Sequence, residues 1–464
     1  MAEIVFSKTP LVFEVTKQKP TLITPAEPTP YEFKELSEID NQQRLRFFEP
    51  GILFYRSGRP DPVKVIKEAL GKALVAYYPL AGRLREKGDG KLVIECNGEG
   101  IMFVEADADV TLAQFGEPLI PPFPCTEELQ CDTSNSEAFL DYSLLLVQVT
   151  RLKCGGFILA LKSNHVVADV TGLSQFMHAV AELARGAEFP SIRPVWDRHL
   201  LLARNPPRVT RVHPEYDEEM DGTDENIVSF DDVQRKFFFF GATEIGNIRR
   251  LLPEHLKSST TFEILTACIW RSRTIAMQFN PKDEVRFRFL INVRHKLNPP
   301  IPTGYYGNVV VTPVAISTTH DIISNPLEYT VELIKNVKRS ITEEYVKSVV
   351  DFLATKGRPG FHRGACTYYV VDLSRVGLDQ WDFGWGNAVY GGPAEVWFGS
   401  PSTGFGNYYL AGKNGNGESG ILVPMCLPRW AMGRFVEELN RYFSVSELEQ
   451  PVSLSGSLRT GIAA

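Results

Sequence analysis

The chain has 464 residues, 49 Lys and Arg against 56 Asp and Glu, and a formal net charge of −7. At 44% hydrophobic and 23% charged it has an ordinary globular balance, able to bury large cores in two or three domains without covalent staples. The acidic balance argues against a general nucleic-acid binder, which needs surplus Lys and Arg to displace phosphate counterions, and against a polybasic membrane-surface protein.

Taken in chain order, Met1–Val15 lacks a basic segment followed by a long apolar run, so no secretory leader is expected. Val63–Tyr77 reads as a helix ending before Pro79. Ser143–Val149 and Phe157–Leu161 are short apolar runs separated by Cys154-Gly155-Gly156, a hairpin signal. Leu173, Phe176, Met177, Val180, Ala181 and Ala184 recur at spacings of three and four, one face of a helix that Gly186 would stop. Between Phe189 and Phe230 lie five prolines (Pro190, Pro194, Pro206, Pro207, Pro214), then an acidic run from Glu215 to Glu225 with no basic residue. Prolines deny backbone donors and like charges repel, so this stretch predicts a long connection over the surface.

Beyond it, Lys236–Phe240 and Val285–Val293 read as strands. Phe262–Ile275, Leu327–Thr342 and Pro428–Tyr442 read as helices. Strands and helices alternate without strict βαβ order, which predicts mixed sheets with helices packed on them. No internal repeat of solenoid or propeller period is present, and no apolar run approaches the roughly 18 residues of a membrane span. The seven cysteines (Cys96, Cys125, Cys131, Cys154, Cys268, Cys366, Cys426) are odd in number and form no CxxC pair. A disulfide framework, a structural zinc site and a catalytic metal are therefore not expected. A reducing compartment fits, and with no ER or peroxisomal address at the C-terminus the expected location is the cytoplasm.

The chemistry concentrates in Asn164-His165-Val166-Val167-Ala168-Asp169, between an apolar strand and an amphipathic helix. A histidine at a strand end is rigidly held yet able to reach a cleft, and its near-neutral titration suits a general base that later returns the proton. Asp169 either orients the imidazole or braces the turn. The spacing alone is weak evidence. A second HxxxD, His213 to Asp217, lies in the acidic connection and is expected to be coincidental and solvated. Asp382-Phe383-Gly384-Trp385-Gly386 is a second unusual segment, because two glycines around an indole mark a tight backbone path.

These two motifs, in this order, resemble those of the plant BAHD acyltransferases. Tyr78-Pro79-Leu80-Ala81-Gly82-Arg83-Leu84, Phe262-Glu263-Ile264-Leu265-Thr266-Ala267 and the tract from Leu297-Asn298-Pro299-Pro300 to Gly307-Asn308 agree with that family's other signatures. Leu22-Ile23-Thr24-Pro25, Cys96-Asn97-Gly98-Glu99-Gly100 and Ala388-Val389-Tyr390-Gly391-Gly392-Pro393 are similar to its branch of alcohol acyltransferases, which make volatile and benzoate esters.

The resemblance implies a mixed α/β fold of two similar chloramphenicol-acetyltransferase-like domains, 1–189 and 231–464, joined by a crossover at 190–230. It implies a monomer that takes acyl-CoA as co-substrate and an alcohol as acceptor, with no tightly bound cofactor and no nucleic-acid or membrane partner. His165 would be the general base. Asp169 paired with Arg294, and the loop of Asp382, Trp385 and Gly386, would support the site. Arg249, Arg250, Lys257 and Thr261 are candidates to meet coenzyme A. The sequence departs from the family at two places. Val371 stands where many members carry a Ser or Thr that helps hold the oxyanion, leaving Thr367 and Ser374 as alternatives, and Asn387 stands where a basic residue is common. The implied product is an ester, with benzoyl-CoA as the first donor and alkaloid or terpenoid hydroxyls as alternative acceptors. A condensation domain of a peptide synthetase and a non-catalytic member of the fold are the rival readings. The absence of paired histidines before Val166 speaks against the first, and the presence of His165 against the second.

Overall fold

The computed structural model describes residues 3–4, 11–131, 139–217, 232–356, 364–395, 397–398 and 406–443. The first half carries β1 (Glu3–Ile4), β2 (Val15–Lys17), β3 (Thr21–Ile23), β4 (Phe33–Glu35), β5 (Phe48–Tyr55), α1 (Pro62–Ala76), β6 (Arg83–Glu86), β7 (Leu92–Glu95), β8 (Ile101–Ala108), β9 (Leu145–Leu152), β10 (Phe157–Asn164) and α2 (Val170–Ala184). The second half carries β11 (Val233–Phe240), α3 (Ala242–Arg250), α4 (Thr261–Met277), β12 (Glu284–Phe289), β13 (Ile291–Asn292), β14 (Val310–Val311), β15 (Val314–Thr318), α5 (Thr319–Ser324), α6 (Leu327–Ser340) and α7 (Glu343–Lys356). It continues with β16 (Thr367–Asp372), β17 (Tyr390–Pro393), β18 (Trp397–Phe398), β19 (Gly406–Lys413), β20 (Ser419–Pro428) and α8 (Arg429–Arg441).

The expected hairpin forms. β9 and β10 run antiparallel, Phe157 opposite Arg151, around Gly155 at φ +83°. Phe157, Leu159 and Leu161 of β10 enter one core with the apolar faces of α1 and α2. Ile158 and Ala160 enter a second core on the other face, with Phe54, Phe115 and Phe123. Burial on both faces is why this strand reads as an unbroken apolar run rather than an alternation. In α1, Pro62 at the first helical position fits a site that needs no amide donor.

The strands form two large mixed sheets. The first has the order β17-β5-β10-β9-β8-β2, with β3 also on β8; the second has the order β1-β11-β20-β19-β16-β12-β15, with β18 on β19. Each half lends a strand to the other's sheet. β17 borders β5, Tyr390 opposite Phe54, and β1 borders β11, Glu3 opposite Phe238. A second main core lies between the second sheet and α4, α6 and α8. The mixed α/β class is as expected. No helix among the described residues is long and apolar enough to cross a membrane, and all seven cysteines are free thiols.

Three expectations need correction. The run Val285–Val293 is not one strand: β12 ends at Phe289, and Ile291 and Asn292 leave the sheet to pair with β14. That departure turns the chain toward Asp169. The helix α7 has no counterpart among the predicted elements, although Tyr345, Val346, Val349, Val350 and Leu353 show helical spacing.

Among its described residues the connection after Phe189 has only single 3₁₀ turns, at Arg198–Leu201 and Pro214–Tyr216, but it does not simply run over the surface. His213 is 4% and Glu215 1% exposed, so the second HxxxD is not solvated at its histidine. His213 Nε2 lies 2.8 Å from Ser348 Oγ and Nδ1 3.1 Å from Glu215 Oε1, while Tyr345 donates to the same carboxylate. Charge in the sequence concealed a buried polar cluster under α7. The acidic residues after Asp217 lie outside the described residues. His213→Ala should therefore lower stability by about 1–3 kcal/mol, the cost of stranding buried polar partners. Asp217, 55% exposed and 3.8 Å from Arg286, should tolerate alanine within about 0.5 kcal/mol. Urea unfolding of the two variants checks the pair.

Candidate active site

The β5–β10 ladder brings His165 into place. Asn164 is the last residue of β10 and pairs with Phe48; the next amide, that of His165, donates to the Phe47 carbonyl at 2.9 Å. The His165 carbonyl accepts from Asn308 Nδ2 at 2.8 Å. The imidazole lies 5.2 Å from the Phe47 ring, centroid to centroid. Its Nδ1 is buried without a hydrogen-bond partner among the described residues. The main chain is thus fixed on both sides of the histidine, and Nε2 is the nitrogen left to meet a substrate.

Asp169 braces the turn rather than the ring. Oδ1 accepts from the Gly172 amide at 2.9 Å, capping α2. Arg294 grips both oxygens, Nη1 to Oδ2 at 2.8 Å and Nη2 to Oδ1 at 2.9 Å. The Val309 amide donates to Oδ2 at 3.0 Å. With these four donors the carboxylate is fully engaged and makes no bond to the imidazole. Arg294 also donates to the Gly307 carbonyl at 2.8 Å, and Asn292 reaches Thr171 Oγ1 at 3.5 Å. A Cβ at Gly172 would stand 2.0 Å from the Tyr306 carbonyl oxygen, so the close approach of α2 to the 304–309 loop requires glycine there.

A second buried pair backs the first. Arg198 Nε lies 3.2 Å from Asp40 Oδ2, and both residues are almost wholly buried. Arg198 donates to the Val167 carbonyl at 2.8 Å inside the histidine turn, with its guanidinium 4.2 Å from the centre of the Trp196 ring. Asp40 Oδ1 accepts from the amide and the side chain of Asn308 at 3.0 and 2.8 Å. Sequence reading assigned no role to Asp40 or Arg198. Neither has a local signal, because the pairing joins segments far apart in the chain.

The Asp382 segment folds on itself. Asp382 Oδ1 accepts from the amides of Gly384 and Gly386 at 2.8 Å each, and the two glycines have φ of +110° and +78°. Arg185, at the end of α2, donates to the Asp382 carbonyl. Trp385 lies edge-on to Phe157, 5.0 Å between centroids. Phe157 begins β10 and His165 follows its end, so the indole is about 25 Å from the histidine at strand rise.

A cavity of about 340 Å³ opens beside the start of α4. Thr260, Thr261, Asn292, Lys338, Asp372, Ser374 and Arg375 supply polar groups to its wall. Of the four candidates for meeting coenzyme A, only Thr261 lines it. Arg249 donates to the carbonyls of Lys257 and Ser259, Arg250 to Asn247, and Lys257 pairs with Glu254 at 2.7 Å. No residue from Asp382 to Gly386 lines it either. Lys338 and Arg375 are the cations the sequence reading missed; they arrive from α6 and from the loop after β16. Val371 lies opposite Tyr408 in the β16–β19 ladder. Ser374 donates its hydroxyl to Asp372 at 2.6 Å, and Thr367 is buried at the other end of β16.

Breaking one side of the Asp169–Arg294 pair strands a charge where it is poorly solvated. Asp169→Asn and Arg294→Gln should each cost about 3–5 kcal/mol. Because they remove one shared interaction, the double variant should cost clearly less than the sum, as a double-mutant cycle on urea unfolding will read.

Comparison with known proteins fits this geometry. Residues 13–442 match the Transferase family. The chain is 54% identical over 439 residues to a benzyl alcohol O-benzoyltransferase of Nicotiana tabacum, covering 94% of this chain and 95% of that one. It is 53% identical over 434 residues to a benzyl alcohol O-benzoyltransferase of Petunia hybrida, covering 93% and 94%. It is 48% identical over 449 residues to a 13-hydroxylupanine O-tigloyltransferase of Lupinus albus, covering 95% and 97%. Among solved structures, vinorine synthase superposes with a TM-score of 0.69 at 20% identity, covering 92% of this chain and 98% of that one. TRI101 of F. sporotrichioides, solved with coenzyme A and T-2, gives 0.70 at 18% identity, covering 89% and 98%. The chain belongs to the Transferase family, the BAHD acyltransferases that its motifs resemble.

Proposed function

We propose that this acyltransferase moves a benzoyl group from benzoyl-CoA to the hydroxyl of a small alcohol of the benzyl alcohol type, with His165 as the general base. The reaction class, acyl transfer from acyl-CoA to an alcohol, rests on family membership and on the relatives' names. The observation that carries the assignment of the base is the division of labour at the turn. Asp169 has all its acceptor positions taken, whereas His165 keeps a nitrogen free at the end of a strand whose backbone is fixed.

The steps follow from those groups. His165 Nε2 takes the proton of the acceptor hydroxyl as the oxygen attacks the thioester carbonyl. The tetrahedral intermediate collapses, the carbon–sulfur bond breaks, and the imidazolium returns the proton to the departing thiolate. The ester and free coenzyme A leave. No acyl-enzyme is formed, so no serine or cysteine nucleophile is required. In this reading residues 1–189 and 231–464 are the two units, 190–230 link them, and the substrates meet between them.

The cavity beside α4 is where this reading seats the coenzyme A chain. Thr260 and Thr261 stand at the N-terminus of a 17-residue helix, where the helix dipole favours anionic oxygen, although Thr260 and Glu263 already bond each other's amides in a capping box. Arg375 and Lys338 add positive charge, although Lys338 is shared with Glu263. A tigloyl group on an alkaloid hydroxyl is the second reading, favoured by the lupin relative at 48% identity.

Purified protein incubated with benzoyl-, tigloyl- and acetyl-CoA against benzyl alcohol and hydroxylated alkaloids, with products identified by mass spectrometry, tests the pairing. The benzoyl ester of benzyl alcohol should dominate. His165→Ala should lower turnover by roughly 10²–10⁴-fold with the fold intact by circular dichroism. Arg375→Ala should raise KM for acyl-CoA several-fold, about 1 kcal/mol for one partly solvated phosphate contact, and leave kcat nearly unchanged. Arg249→Ala should act on the melting temperature and not on KM.

A further inference from the structure

Glu49 is an acidic side chain that the transfer steps above do not use. It lies on β5 directly opposite Ser163 of β10. Side chains alternate along a strand, and paired residues of an antiparallel ladder share a face. His165 follows Ser163 by two, just past the end of β10, and Phe47 precedes Glu49 by two, just before β5; the His165 amide bonded to the Phe47 carbonyl carries the pairing one step further. The contact of the Phe47 and His165 rings places that second pair on one side. Glu49 is therefore the diagonal neighbour of His165, one pleat away. β17 ends at Pro393 opposite Gly51, so among the described residues β5 has no outer partner strand at Glu49.

That open position is filled from the other sheet. The hydroxyl of Tyr408, on β19, donates to Glu49 Oε1 at 2.8 Å, across 359 positions of sequence. The titratable groups facing Glu49 are His165 beyond the end of β10, Tyr408 of β19 and Tyr369 of β16, the last set near Arg44 and Arg288. No Lys or Arg forms an ion pair with Glu49 among the described residues. Burial pushes its carboxyl above the usual range, against the opposing pull of His165 and the Tyr408 hydrogen bond. Burial and the adjacent carboxylate likewise push the Tyr408 phenol well up.

We propose that Glu49, braced from the opposite sheet by Tyr408, is a positioning residue that compensates the positive charge His165 acquires during transfer. The proposal rests on the reading of His165 as the base. When the acceptor proton moves to Nε2, the ring becomes a cation whose Nδ1 has no hydrogen-bond partner among the described residues. An unshared cation in an enclosed site is costly, and a carboxylate one pleat away lowers that cost through space. Glu49 itself takes no proton in this step. The proton goes from alcohol to imidazole and then to the thiolate, and Glu49 contributes only in its ionised form.

The sign of the pH dependence follows. A carboxyl whose folded value is raised loses its charge as pH falls through that raised value, so compensation is present above it and disappears below it. Removing the Tyr408 hydroxyl takes away a bond that favours the ionised form, so the charge disappears at a higher pH than in the parent.

The test is kcat and KM for acyl-CoA between about pH 5 and 9 on the full chain, with Glu49→Gln, Tyr408→Phe and His165→Ala beside the parent and thermal melts of each. Glu49→Gln should lower kcat about tenfold on the alkaline side of the profile, the scale of one partly screened charge pair, with KM within twofold. Its deficit should shrink toward acid, where the parent also has a neutral side chain at position 49. Tyr408→Phe should be most impaired just above the pH at which the parent loses the charge and recover as pH rises further, whereas Glu49→Gln should not recover. A deficit of Glu49→Gln that is constant across pH, or a kcat equal to the parent's, overturns the proposal. If Glu49→Gln does not fold, Tyr408→Phe decides: a deficit that recovers as pH rises supports the proposal, and a pH-independent one overturns it. An inactive His165→Ala beside a Glu49→Gln with the parent's profile removes Glu49 alone. A His165→Ala with parent turnover removes the base assignment, and the role of Glu49 with it.

Discussion

The centre of the molecule depends on one buried carboxylate. Asp169 receives two hydrogen bonds from Arg294, one from the Val309 amide and one from the Gly172 amide. The first three come from the second half of the chain, and the fourth starts α2 in the first half. A carboxylate removed from water is stable only if its lone pairs are satisfied, so this arrangement holds as a unit or not at all. The helix start, the 304–309 loop and the strand that leaves the second sheet at Leu290 meet at Asp169. The histidine four residues earlier is held because its neighbours are held.

That unit is backed by contacts of a different kind. Arg198 and Asp40 form a second buried pair, whose donors and acceptors reach the Val167 carbonyl and Asn308. The exchanged strands β1 and β17 tie each half to the other's sheet through backbone hydrogen bonds. The bond between Tyr408 and Glu49 joins the sheets at a third place, close to the histidine. Relative movement of the halves would have to break several of these at once. A general base gains from such stiffness, because proton transfer requires donor and acceptor at hydrogen-bond distance when the carbonyl is attacked.

Much of this was legible in the sequence, and the limits have physical reasons. Helical periodicity located α1, α2, α4, α6 and α8 to within a few residues, since an amphipathic face repeats locally. The β9–β10 hairpin was readable from Gly155, because a tight turn is a local demand. The pairing of Asp169 with Arg294 followed from the motif resemblance and from nothing in the spacing. Arg198, Asp40, Glu49 and Tyr408 carry no local pattern. Their importance comes from partners up to 359 positions away, and sheet order is decided by the whole chain. His213 shows the opposite failure. An acidic and proline-rich context predicts solvent, yet Ser348 and Tyr345 on α7 supply enough polar partners to bury it. Arg249 and Lys257 were read as cations facing a ligand, but their charges are spent on nearby carbonyls and on Glu254.

The geometry also divides chemistry from selectivity. In the proposed reaction His165 acts on a hydroxyl proton and the acceptor oxygen attacks a thioester carbonyl, two features shared by every acyl donor and every alcohol. Relatives at 48–54% identity bear names for benzoyl and tigloyl transfer, and nothing at the histidine turn distinguishes an aromatic acyl group from a branched aliphatic one. Differences between donors must be read where the acyl chain itself touches protein. A change of one or two methylenes there is worth about 1–3 kcal/mol, enough to exchange one preferred donor for another without moving Asp169 or its partners. The buried ion pairs are therefore the part of this molecule under the tightest physical constraint, and the apolar walls are the part in which substitution can alter the product while the mechanism stays the same.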